Sequence, residues 1–354
     1  MTDTRAPSSI VVHETLPVRV VIGPGARDAV PDEVARLGAQ RVLLVVTRSA
    51  ADAGDRLADA LGSRLAARFD RPAAHTPVPV TEEAMRLVTG EGIDGVVALG
   101  GGSAVGLAKA VAARTGVPQV AVPTTYAGSE VTPVLGETEN GVKTTRRDPA
   151  LAPGTVVYDP ELTVSMSPGL TRTSAVNALA HAVEALWAPD ATAVTDGLAT
   201  ESVLGILTAL PEVLADPADL GARGRLQSAA WLAGLCLAQT RMGLHHQLAH
   251  VLGGAFDLPH AELHTLLLAH VMAYDLPAAP AAAARLDRIA GPDPVAAVAA
   301  LARAHDGPTT LRDLGVPREG LRGIAERVVA QPYPNPRTPD LESLTALLEA
   351  AWRG

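Results

Sequence analysis

The sequence predicts an α/β domain over residues 1–160 followed by an all-helical domain over residues 161–354. Three observations carry that prediction. A chain of 354 residues exceeds one typical core. Up to about residue 160, apolar β-branched runs alternate with stretches of helical spacing. Beyond it the β-rich runs stop, and "TSAVNALAHAVEALWA", "ATAVTDGLATESVLGILTALPEVLA" and "GRLQSAAWLAGLCLAQTRMGLHHQLAHVLGG" all carry helical patterns.

In chain order, "GPGA" (23–26) reads as a turn near the first strands. "RVLLVVT" (41–47) is long enough for a buried strand, and residues 49–66 repeat apolar positions at helical spacing. "VTEEAMRLVTG" offers Thr81 as N-cap, acidic residues in the first turn and Gly90 as a stop. "GVVALGGGS" is a strand running into three glycines. "SAVGLAKAVAARTG" is a helix opened by Ser103 and closed by Gly116, and "VPQVAVPTT" is the next strand. Strands alternating with helices imply right-handed crossovers and a mostly parallel sheet. The Pro-, Ser- and Thr-rich stretch 159–173 is the expected junction.

Composition narrows the function classes. Hydrophobic residues make up 47% of the chain, and no apolar run is expected to reach the ~20 residues of a membrane span. The N-terminus lacks a basic segment followed by an apolar one, so no signal peptide is expected. Cys236, alone of its kind, rules out an internal disulfide and fits a reducing cytoplasm. A net charge of −9 with no basic stripe argues against nucleic acid. Of 29 Lys+Arg only Lys109 and Lys143 are lysines. In so arginine-rich a chain, a retained lysine points to a need for a compact ammonium.

Two constellations carry chemistry. Gly100, Gly101, Gly102 and Ser103 lie where a strand hands over to a helix N-terminus. There backbone N–H groups and the helix dipole favour a phosphate, and glycine lets the backbone approach it. The spacing is not the G-x-G-x-x-G fingerprint, and a ligand-free turn is the plainer alternative. Of ten histidines, six fall between 245 and 270. His246 and His250 are i, i+4 and share a helix face, and His260 follows after a turn. Such spacing suits a metal. A cleft between the two domains is the expected place for the site.

These residues resemble the iron-containing alcohol dehydrogenase superfamily, which shares a two-domain architecture with dehydroquinate synthase. "GGGSAVGLAKA", "VPTTYAGSEVTP", "NALAHAVEA" and "HHQLAHVLGGAFDLPH" carry the likeness in order along most of the chain. "PTTYAGSE" is one residue shorter than the superfamily's usual "PTTAGTGSE". With "GETENGVKTTRRDP" and "FDLPHAELHTLLLAHVMAY", it is similar to the maleylacetate reductase branch. The resemblance implies a Rossmann-like nucleotide domain and NADPH- or NADH-dependent reduction of the carbon–carbon double bond of maleylacetate to 3-oxoadipate. That reaction serves bacterial breakdown of resorcinol-type, hydroxyquinol and chlorinated aromatics. The resemblance further implies a cytoplasmic homodimer acting on a dicarboxylate, with no membrane or nucleic-acid partner.

In metal-dependent relatives one Asp and three His hold the metal. The matching positions are Asn177, His181, His246 and His260, while His250 matches the histidine beside the nicotinamide. Asn177 removes the anionic ligand, and the superfamily's "GGGSxxDxAK" has Asp where this chain has Gly106. No metal is therefore expected. Candidate catalytic residues are His250, His246, His181, His260, Lys143 and Tyr126. Candidate cofactor residues are Arg48, Gly100, Gly101, Gly102, Ser103, Thr124, Thr125, Ser129 and Lys143. Arg146, Arg147, Asn177 and His245 are candidates for substrate, whereas His264 and His270 read as structural. The rival readings are a metal-dependent alcohol or polyol dehydrogenase with Asn177 as a neutral ligand, a lyase of the dehydroquinate synthase type, and a non-catalytic nucleotide-binding protein.

Overall fold

The structure, a computed structural model, describes residues 13–303 and 307–354. It divides into two compact units. The first, here the sheet unit, is Leu16–Met166 with Ala215–Gly234; the helical unit includes Ser167–Leu214 and Leu235–Gly354. A single cut near residue 160 therefore differs from the observed division in two respects beyond a few boundary residues: 215–234 group with the sheet unit, and 13–15 group with the helical unit.

The sheet unit is built on six parallel strands: β1 (Arg19–Ile22), β2 (Val42–Val46), β3 (Leu65–Phe69), β4 (Gly95–Gly100), β5 (Gln119–Pro123) and β8 (Thr155–Tyr158). Their order across the sheet is β1-β8-β5-β4-β2-β3. Period-2 alternation explains why β2 and β4 are apolar throughout. Leu44, Val46, Val97 and Leu99 pack into the core on one face with Val34 and Leu57. Leu43, Val45, Val96 and Ala98 pack on the other with Val88, Leu107 and Val111. A parallel sheet covered on both faces needs such continuous runs.

Local details depart from the sequence expectations. The helix expected to start at Thr81 begins one turn earlier, at Val78 with Pro77 as N-cap, and Thr81 is buried inside it. Pro77 at the N-cap has no N–H to satisfy, and its fixed φ favours a helix start. The helix read over 49–66 ends at Leu61, and residues 65–66 belong to β3. β6 (Val134–Glu139) and β7 (Val142–Arg147) form an antiparallel hairpin that the sequence reading passed over. Asn140 (φ 50°) and Gly141 (φ 76°) supply the two left-handed positions of its turn.

In the helical unit, helices Leu244–Phe256, His260–Asp275, Leu321–Val329 and Leu341–Arg353 share a core of Leu244, Leu248, Leu252, Leu263, Leu267, Ile324, Val328, Leu344 and Leu348. One expectation is corrected. Helix Ala193–Ala215 is, by length and a mean hydropathy of 1.4, long and apolar enough to cross a membrane. Its inner face buries Ala199, Val203, Ile206 and Leu210, and its Asp196 pairs with Arg285 at 2.8 Å.

Candidate active site

In the sheet unit the ends of three adjacent strands converge. Thr47 and Arg48 follow β2, Gly100–Gly102 follow β4, and Thr124 and Thr125 follow β5. Between β2 and β4 the strand order reverses, because β3 lies on the far side of β2. That is where open parallel sheets bind ligands. A cavity of about 540 Å³ lies there, lined by Thr47, Arg48, Ser49, Pro72, Gly101, Ser103, Thr124 and Thr125.

That geometry requires one glycine and leaves little room at a second. A Cβ on Gly100 (φ 151°) would lie 2.5 Å from Thr47, and one on Gly101 would lie 3.1 Å from Thr125. The helix Gly102–Thr115 has Gly101 as its N-cap, with no side-chain cap. Ser103 is therefore not the cap expected of it but the second helical residue. The first N–H groups of this helix lack a side-chain acceptor, which suits an anion.

Lys109, on the same helix, is fully buried. Its Nζ donates to Ser129 O (2.5 Å), Thr132 O (2.8 Å), Thr132 Oγ1 (3.0 Å) and Val134 O (2.9 Å). Burial pushes its ammonium down to about 7, and the charge of Glu130 opposes that. Ser129, expected at the cofactor, thus gives its carbonyl to Lys109. Glu130 is buried and accepts from the Tyr158 hydroxyl at 2.8 Å.

Tyr126, expected as an acid, is a core residue at 1% exposure. Its hydroxyl donates to Thr163 Oγ1 (3.2 Å) and accepts from the buried Arg223 (3.3 Å). Burial raises the phenol further above its ordinary value. Lys143, Arg146 and Arg147 lie together on β7. Arg146 is exposed and pairs with Asp148 at 2.7 Å; the side chain of Lys143 lies outside the described residues.

The helical unit gathers the histidines. Asn177 and His181 share a face of Pro168–Ala185. His245, His246 and His250 lie on Leu244–Phe256, and His260 and His264 open His260–Asp275. His181 Nδ1 lies 2.7 Å from His246 Nε2, and the His250 and His260 rings stack with centroids 5.8 Å apart. His245 is wholly buried, with Nε2 2.7 Å from His264 Nδ1. His264 Nε2 in turn lies 3.0 Å from His260 Nε2. His245 is thus corrected from a substrate contact to an interior residue, since its ring turns inward to His264. His264 is interior as expected, and His270 is part-buried. Asn177 Oδ1 is buried and meets no donor among the described residues.

Sequence reasoning missed Glu184. Its carboxylate accepts from the backbone N–H of His245 (2.8 Å), Gly243 (3.2 Å) and His246 (3.4 Å), and lies 2.5 Å from His246 Nδ1. Asn335 Oδ1 takes the remaining early N–H, that of Leu244, at 3.2 Å. Together they cap a helix whose own N-cap, Gly243, has no side chain. The signal was present: Asn177, His181 and Glu184 stand at i, i+4, i+7 and share one helix face. Burial pushes Glu184 up to about 7, against the three backbone donors, and pushes His246 down to about 3.

Comparison with known proteins places these features in a family. The model described as iron-containing alcohol dehydrogenase matches residues 17–160, and the C-terminal model of the Fe-containing alcohol dehydrogenase family matches 171–352. Maleylacetate reductase 1 of Rhodococcus opacus is 44% identical over 98% of both chains. The maleylacetate reductase of Pseudomonas knackmussii is 43% identical over 97% of this chain and 98% of its own. The crystal structure of maleylacetate reductase from Agrobacterium tumefaciens superposes with a TM-score of 0.94 at 43% identity, covering 98% of this chain and 99% of that one. The chain is an oxidoreductase and belongs to the iron-containing alcohol dehydrogenase family.

Proposed function

We propose that the protein reduces the carbon–carbon double bond of maleylacetate with NADPH or NADH, without a metal, to give 3-oxoadipate. The relatives' names support the substrate, since they are maleylacetate reductases at 43–44% identity along nearly the whole chain. The uncapped helix start and the glycines pressed against Thr47 and Thr125 form a cradle that fits a dinucleotide phosphate. The bound nicotinamide would supply a hydride to the alkene carbon β to the ketone.

The electron pair of the double bond then moves onto the oxo group, and the resulting enolate takes a proton at the α carbon. Imidazole N–H groups are suited to both tasks, stabilising the enolate and supplying the proton. We assign this work to His250 and His260; His181 and His246, whose N–H groups are engaged within the cluster, are assigned to shaping the pocket. Lys143, Arg146, Arg147 and Asn177 are assigned to the substrate's carboxylates, with Arg48, Ser103, Thr124 and Thr125 on the nucleotide. We also propose that the enzyme acts as a cytoplasmic homodimer, as the resemblance implies.

The observation that carries the metal-free reading is the donor set: Asn177 stands with His181, His246 and His260, so no anionic ligand balances a divalent ion. Three imidazoles can hold zinc by themselves, so the loss weakens such a site without forbidding it. One observation favours a metal-dependent alcohol or polyol dehydrogenase instead: the buried Asn177 oxygen lacks a donor among the described residues. The deciding experiment measures NADPH oxidation with maleylacetate and with short alcohols, before and after exhaustive chelation, alongside elemental analysis. Chelator-resistant turnover of maleylacetate supports the proposal. Stoichiometric iron or zinc, with activity lost on chelation and restored by metal, overturns it.

A further inference from the structure

We propose that Glu184 is a positioning residue that fixes His246 as the Nδ1–H tautomer and, through it, sets the proton on His181 Nδ1. The argument runs from the donors outward. Glu184 Oε2 already receives two backbone N–H groups, from Gly243 and His246, and Oε1 receives that of His245. An oxygen so surrounded is an acceptor, so the group 2.5 Å away, His246 Nδ1, bears the proton. His246 is buried, and with only one proton on its ring its Nε2 is then an acceptor. His181 Nδ1, at 2.7 Å from that nitrogen, is the donor. His181 consequently carries its lone pair on Nε2.

The capping geometry explains why this arrangement is rigid. Glu184 is 1% exposed and bound at the start of the helix that carries His246, where the helix dipole favours a negative charge. The same carboxylate thus places the His246 backbone and aims its ring. Glutamine at 184 has one acceptor and one donor end. Its NH₂ would face either the His245 N–H or the cluster at Oε2. The first opposes one backbone N–H and the second two, so glutamine keeps its oxygen on His246 Nδ1–H, whereas leucine offers no acceptor and frees that proton to move to Nε2 and reverse the His181 pairing.

The catalytic half of this inference rests on the functional reading above, and the tautomer half does not. Long-range ¹H–¹⁵N spectra of the uniformly labelled wild-type enzyme at pH 8 should show His246, assigned by its loss in His246→Asn, protonated at Nδ1. Glu184→Leu should move that proton to Nε2 and lower kcat for maleylacetate about 10- to 100-fold, with KM for NADPH unchanged within about twofold. Glu184→Asp, which keeps the carboxylate, should recover part of the loss. A His246 protonated at Nε2 in the wild type, or full kcat in Glu184→Leu, overturns the proposal. Should Glu184→Leu not fold, the wild-type spectrum alone decides the tautomer. A wild-type enzyme that does not oxidise NADPH with maleylacetate defeats the functional reading and leaves the tautomer assignment standing.

Discussion

Thr76 occupies the space that a side chain at position 106 would need: a Cβ on Gly106 would lie 2.4 Å from Thr76 Oγ1. Thr76 is buried and holds a left-handed backbone, φ 46°, unusual for a β-branched residue. Its carbonyl accepts from Thr138 N at 3.2 Å, so the loop before helix Val78–Gly90 cannot simply retreat. The Asp of the superfamily pattern would fit here only if Thr76 turned its hydroxyl away. Gly106→Asp should destabilise the protein by about 1–3 kcal/mol in urea unfolding, the usual cost of overpacking. Adding Thr76→Gly should recover most of that. If the single variant is as stable as wild type, the two positions are not coupled.

Arg48 lines the cavity at the end of β2, where an acidic residue would bind the ribose hydroxyls and repel a 2′-phosphate. Its guanidinium can instead pair with that phosphate. Arg48→Asp should lower the NADPH/NADH ratio of kcat/KM at least about tenfold, since charge-assisted hydrogen bonds contribute about 1.5–3 kcal/mol. An unchanged ratio would mean that Arg48 is a solvated surface residue.

Lys109 ties its helix to residues 129–134 through four oxygens. Lys109→Met would strand buried carbonyls, each at a cost of about 1–3 kcal/mol. Chemical denaturation should show a loss of at least about 3 kcal/mol. Lys109→Arg should not restore it, because a fully buried site has no room for the larger guanidinium. A stable, fully active arginine variant would refute the need for a compact ammonium.

Asp275 is wholly buried. Its Oδ1 accepts from Asn335 Nδ2 at 2.6 Å, and its Oδ2 meets no donor among the described residues. Burial pushes its carboxyl up to about 7, with the Asn335 bond opposing. A raised folded-state value means that the folded protein holds the proton longer than the unfolded chain. The stability linked to that proton is fully present below the ordinary Asp value near 4, and it is lost as pH rises through about 7. Between pH 5 and 8 the melting temperature of Asp275→Asn should therefore fall less than that of the wild type. Parallel curves would show that Asp275 is ionised throughout.

Much of this protein is decided locally. The apolar runs of β2 and β4, the glycines after β4 and the change to helical periodicity near residue 160 follow from the side chains themselves. The i, i+4 pairing of Asn177 with His181 follows from helix geometry alone. The Asn140-Gly141 turn was equally local, and its hairpin was overlooked rather than hidden. Other features depend on residues far apart in sequence. No periodicity places Glu184 against the start of the helix 59 residues later, sends Lys109 to the carbonyls of 129–134, or buries Tyr126 against Arg223. His245 and His246 are neighbours in the chain, yet one ring meets His264 and the other meets Glu184 and His181. Which imidazole faces inward, and which nitrogen bears its proton, was settled only by tertiary packing, because buried hydrogen-bonding groups must find partners wherever the fold supplies them.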